Sequence, residues 1–87
     1  MNLKDTISMM VSDDYKERFK AEYFQTKIRY IKLSEFIIKY EAGELNFKPS
    51  CSLNLLINQK QCMNNYLNAL ELRAKIENIN LDDLLMK

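Results

Sequence analysis

The sequence has no histidine and no tryptophan, a single glycine, a single proline and two cysteines. Without histidine there is no His-containing zinc site and no catalytic triad that needs an imidazole base. One glycine cannot make a glycine-rich phosphate loop. Such sparse Gly and Pro also argue against a turn-rich β fold and against disorder. Cys51 and Cys62 lie eleven positions apart, and they read as free thiols, buried or half-buried, in a reducing compartment. No apolar run approaches the ~20 residues needed to cross a bilayer, and Leu3 to Val11 is interrupted by Lys4, Asp5, Thr6 and Ser8. The chain therefore reads as soluble and cytoplasmic.

What is present is helical patterning. Hydrophobic residues make up 47% of the 87 positions, and the formal net charge is only +1, so nothing pulls the whole molecule toward a nucleic-acid polymer. From Asp13 to Tyr40, apolar and aromatic residues fall at Phe19, Tyr23, Tyr30, Leu33, Ile37 and Tyr40. With Thr26 included, the steps of three and four define a helix seam. Phe24, Ile28, Ile31 and Ile38 form a second apolar row beside it. Ser12 and Asp13 are placed to cap this helix, and Ala42 and Gly43 to end it. Thirty residues would span roughly 45 Å.

The returning helix is predicted over residues 53–78. Its seam is Leu56, Met63, Leu67, Leu70 and Ala74, with Lys60 in the same register, and Leu53, Cys62, Tyr66, Ala69 and Ile76 broaden the face. A connector of about ten residues, 43–52, implies antiparallel pairing. Within it Pro49 disfavours helix at Lys48, Ser50 or Ser52 can cap the returning helix, and Leu45 and Phe47 tuck against the end of the pair. Residues 2–11 read as a short amphipathic arm capped by Asn2. It is too short to stand alone, and it either folds back on its own chain or crosses to a neighbour. In the tail, 79–87, the leucines suggest docking.

The predicted class is all-α: one domain, 1–87, built as an antiparallel two-long-helix hairpin with a short N-terminal helix. A chain this short buries only about 60% of the surface its unfolded form exposes. An apolar face too wide for one partner helix points to copies assembling into an oligomeric helical bundle.

Charge is uneven along the first long helix. Residues 16 to 32 carry Lys16, Arg18, Lys20, Lys27, Arg29 and Lys32 against Glu17 and Glu22, interleaved with Tyr15, Phe19, Tyr23, Phe24 and Tyr30. Cations beside aromatic faces suit nucleobases and phosphodiesters. The planar fork of arginine, which can grip phosphate through two bonds, ranks Arg18 and Arg29 among the candidates, and Tyr30 can serve both core and ligand. The bland alternatives are a solvated charged face and aromatic core. Asp13–Asp14 and Asp82–Asp83 are sequence neighbours whose side chains diverge on a helix, so no carboxylate pair is set for catalysis. We expect no enzyme, no metal and no cofactor.

Two strings, YKERFKAEYFQTKIRYIKLSEFI (Tyr15 to Ile37) and LLINQKQCMNNYLNALELRAKI (Leu55 to Ile76), resemble a family of small phage helical-hairpin proteins. That family includes members from crAss-like phages and the cyclic-nucleotide sponges that act against CBASS and Thoeris immunity. The resemblance is carried by Arg18, Glu22, Lys27, Leu33 and Phe36, and by Leu56, Gln59, Met63, Tyr66, Leu70 and Arg73. It implies a homo-oligomer, dimer to hexamer, whose subunit junctions enclose cyclic di- or trinucleotides in the host bacterial cytoplasm without cleaving them. In that picture Tyr15 stacks on a base, Lys27 meets phosphate and Arg73 belongs to a second type of junction pocket. Arg29 stands where a small hydroxyl residue is expected for one of the pockets. The rival expectations are a small protein-binding inhibitor, a structural coiled-coil assembly module and, least in keeping with the charge, a nucleic-acid binder.

Overall fold

A computed structural model of the chain describes residues 1–81. The tail leucines Leu84 and Leu85, with Asp82 and Asp83, lie outside the described residues. The described chain is all-helical: a 3-10 turn, Leu3–Thr6, continues into α1, Ile7–Met10, followed by α2, Tyr15–Glu41, and α3, Leu53–Ile76.

The helix boundaries follow from local chemistry. Asp14, rather than Ser12 or Asp13, caps α2: its carboxylate accepts the Lys16 N–H at 3.0 Å, and its carbonyl accepts from Glu17 and Arg18. Ser12 acts one step earlier, its hydroxyl accepting the Asp14 N–H at 3.1 Å, so the expected start at 13 moves to 15. At the other end Gly43 takes the left-handed conformation, φ 70°. There the Glu44 N–H donates to the Lys39 carbonyl and the Gly43 N–H to the Tyr40 carbonyl, which closes the last turn. Ser52 caps α3 through the Leu55 N–H at 3.2 Å. The same closing motif ends α3 two residues earlier than the expected 78. Asn78 adopts φ 57°, and the Ile79 N–H donates to the Ala74 carbonyl at 2.8 Å.

That left-handed turn folds the chain back, so that Ile79 and Leu81 are buried with Phe19, Tyr23, Phe24, Leu67, Leu70 and Ala74 in one cluster. The core thus sits at the end where α2 begins and α3 finishes. α2 and α3 run in opposite directions: Tyr15 meets Glu77, Tyr23 meets Glu71, and Tyr30 meets Lys60. At the far end, Leu33, Leu53 and Leu56 are only half-buried.

The arm folds back on α2 of its own chain. Asn2 caps its 3-10 turn reciprocally: Asn2 Oδ1 accepts the Lys4 N–H, and the Asn2 N–H donates to Asp5. Thr6 is fully buried. Its hydroxyl donates to the Leu3 carbonyl at 2.8 Å and accepts from Gln25 Nε2 at 2.9 Å. Gln25 also lies 3.5 Å from the Met10 sulfur. Ala21, buried one turn before Gln25, gives α2 a small residue on this side.

Two other expectations need correction. Cys51 and Cys62 are free, as expected, but both are exposed: Cys51 lies in the connector before α3, and Cys62 falls off the α2-facing seam. In the connector Leu45 is half-buried, but Phe47 stays 57% exposed, with its ring 6.2 Å from that of Phe36.

Candidate functional site

The six candidate residues fall into separate places. At the start of α2, Tyr15 is exposed and donates its hydroxyl to Glu77 Oε1 at 3.1 Å. Arg73, one helical turn before Glu77, binds the other oxygen of the same carboxylate through Nε at 3.0 Å. The Arg73 guanidinium also lies over the Phe19 ring, 4.9 Å from its centroid, within the range of a cation–π contact. Glu77 therefore ties Tyr15 and Arg73 into one cluster across the two helices. The Tyr15 pKa is raised above its ordinary value, first because its hydroxyl bonds to Glu77, a bond lost on ionisation. Desolvation and the negative charge of Glu77 add to this, Arg73 opposes it, and Asp14 adds a little.

Halfway along α2, Lys27 Nζ lies 5.7 Å and Lys60 Nζ 6.0 Å from the centroid of the Tyr30 ring. Lys60, on the α3 seam register, is half-buried there. Its ammonium reaches the ring. Tyr15 and Lys27 are twelve residues apart, roughly 18 Å along the helix, so one small ligand cannot touch both ends within a single chain.

Arg18 and Arg29 join neither cluster. Arg18 donates through Nη1 to the Ser12 carbonyl at 2.7 Å, across the turn that precedes α2. Arg29 is exposed and makes no hydrogen bond or ion pair among the described residues. Lying two residues beyond Lys27, it points about 200° around the helix, away from it. Arg18 and Arg29, eleven residues apart, share that other side.

Sequence reasoning misses Glu77, Glu71 and Lys75. Glu77 carries a readable signal, since it lies four residues after Arg73, the spacing of a helical ion pair. Glu71 does not: its partner Tyr23, which donates to Oε2 at 2.7 Å, is identified only once the register of α3 on α2 is known. Lys75 and Lys27 both line a pocket between α2, α3 and the turn after α3, which is equally invisible in the sequence.

Among the described residues no group of three His, Cys, Asp or Glu side chains could hold a metal ion, and no helix is long and apolar enough to cross a membrane. The arrangement offers cations and aromatic rings in adjoining pairs, and a carboxylate that orients them.

Fold and site thus define a small all-helical protein with a cation and aromatic edge between two long helices. Residues 13–76, most of the chain, match the family model described as Sequestin, and the chain belongs to that family. No curated protein and no solved structure matches it.

Proposed function

We propose that this protein sequesters a small anionic signal of the cyclic di- or trinucleotide type and holds it without cleaving it, as a phage-encoded antagonist of CBASS or Thoeris immunity in the bacterial cytoplasm. The observation that carries the reading is the pairing of cations with aromatic groups on one edge: Arg73 on Phe19 beside Tyr15, and Lys27 and Lys60 on Tyr30. The family description, Sequestin, speaks of sequestering and supports the same reading. Ligand contacts are assigned to Tyr15, Arg18, Lys27, Arg29, Tyr30 and Arg73. Because those residues lie in separate places on one chain, the hairpin acts as the unit of a homo-oligomer, dimer to hexamer, in which neighbouring copies bring the edges together.

A second seam on α3 supports assembly. Leu55, Gln59, Cys62, Tyr66, Ala69, Arg73 and Ile76 follow steps of four and three, and every one is exposed. Such a stripe is the pattern of a helix packed on another helix. It also suits the alternative reading, a small inhibitor or assembly module whose apolar face docks on protein.

Titration calorimetry of the full chain against a panel of cyclic di- and trinucleotides and cyclic ADP-ribose isomers tests the proposal. Heat from at least one of them is expected, at a fixed ratio of ligand to chain. Silence across the panel, with a host protein recovered stoichiometrically from lysate, would establish the alternative.

A further inference from the structure

Between α2, α3 and the turn that follows α3 lies a pocket of about 360 Å³, at the small end of the range for ligand sites. Lys27 reaches it from α2 and Lys75 from the last turn of α3. Neither ammonium has a carboxylate within ion-pair distance among the described residues. Lys75 by itself would be explained by the helix dipole, which favours a cation at this end. That Lys27, from a different helix, lines the same pocket is not explained that way: two lysines and one carboxylate, Glu71, line it, and neither lysine is ion-paired among the described residues.

The rest of the lining is specific too. Ile79 and Leu81 are buried there and present apolar surface. Glu71 holds the Tyr23 hydroxyl on Oε2, while its Oε1 accepts no hydrogen bond among the described residues. The pocket thus combines an anion-seeking pair, an apolar wall and one acceptor oxygen. The last carbonyls of α3 oppose an anion nearby, which is a reason for two ammoniums rather than one.

We infer that this pocket takes one nucleoside monophosphate unit with an amino-bearing base: phosphate between Lys27 and Lys75, base against Ile79 and Leu81, exocyclic amine donating to Glu71 Oε1. The inference rests on the nucleotide-sequestering reading and deepens it. It adds Lys75 and Glu71 to the ligand contacts, and it gives each chain a site that needs no neighbouring copy.

The test is an amide NMR titration of the full chain with 5′-AMP, with UMP and inorganic phosphate as separate arms. Shifts should concentrate at Ala74, Lys75 and Asn80. Binding should weaken roughly tenfold or more in Lys75→Ala and in Lys27→Ala, the scale of one lost charge-assisted hydrogen bond, while the exposed Lys39→Ala keeps it. Glu71→Gln should remove the preference for AMP over UMP. No shifts with AMP, shifts unaltered in both lysine variants, or equal shifts from phosphate alone would overturn the inference. If calorimetry finds a cyclic nucleotide bound undiminished by Lys75→Ala, the pocket assignment fails and sequestration stands. If AMP binds here as described and no cyclic nucleotide binds, sequestration fails and the pocket stands.

Discussion

Ile76→Ala tests whether a second copy covers the outer stripe of α3. Ile76 is 71% exposed in the single chain, whereas full burial of such a side chain contributes about 1.5–3 kcal/mol. A lone chain therefore loses well under ~1 kcal/mol on truncation, in the range of ordinary surface substitutions. If another copy packs on the stripe, the same change opens a cavity and costs about 2–5 kcal/mol. Whole-chain stability at this length is roughly 4–13 kcal/mol, and each kcal/mol moves Tm by about 4–8 °C, so the two cases are well separated. Thermal melts by circular dichroism at low and at high micromolar concentration provide the assay. The wild-type Tm should rise with concentration, since folding is linked to association, and Ile76→Ala should flatten that rise and lower Tm by roughly 10 °C or more at the high concentration. Leu70→Ala, at a position 2% exposed in the cluster between α2 and α3, should cost a similar amount at either concentration. A wild-type Tm independent of concentration, with Ile76→Ala melting alongside it, would refute the reasoning.

Further outcomes are set by the local geometry. The Tyr15 hydroxyl should ionise above the ordinary value of 10.0, seen as the difference in phenolate absorbance between wild type and Tyr15→Phe. Because its folded-state pKa is raised, the contribution of Tyr15 to stability is present below pH ~10 and lost as pH climbs through the raised value, and Glu77→Gln should bring the midpoint back down. Thr6→Val removes the buried acceptor of Gln25 and the donor to the Leu3 carbonyl. It should cost about 1–3 kcal/mol and speed amide exchange in residues 3–10; unchanged exchange would count against the arm docking described. Gly43→Ala places a Cβ in open space, with nothing within 4 Å, so only the left-handed backbone is penalised, by about 1–2 kcal/mol in an unfolding titration.

Much of the fold is legible because a helix repeats. The seam from Phe19 to Tyr40 and its counterpart from Leu56 to Ala74 are periodic, and Gly43 and Ser52 mark helix ends by chemistry that acts over a few residues. Asn78 is harder to read, since asparagine takes the left-handed turn less often than glycine does. Without that turn Ile79 has no visible reason to be buried. Thr6 looks like an interruption in a polar stretch, yet it is fully buried, because Gln25 completes its hydrogen bonding from nineteen residues away. The site is legible as composition and only partly as geometry. Cations and aromatics can be counted between Tyr15 and Lys32, but their direction depends on helical phase, which turns Arg29 away from Lys27. Their partners depend on the register of α3, which alone brings Glu77 to Tyr15 and puts Lys75 and Lys27 on the lining of one pocket.

The most direct measurement incubates the full chain with a cyclic dinucleotide or trinucleotide, separates bound from free by gel filtration, denatures the protein fraction by heat and identifies what is released by chromatography. Sequestration predicts that the nucleotide travels with the protein in fixed proportion and emerges chemically intact. Nucleotide that elutes entirely free, or emerges as a cleaved product, would contradict it.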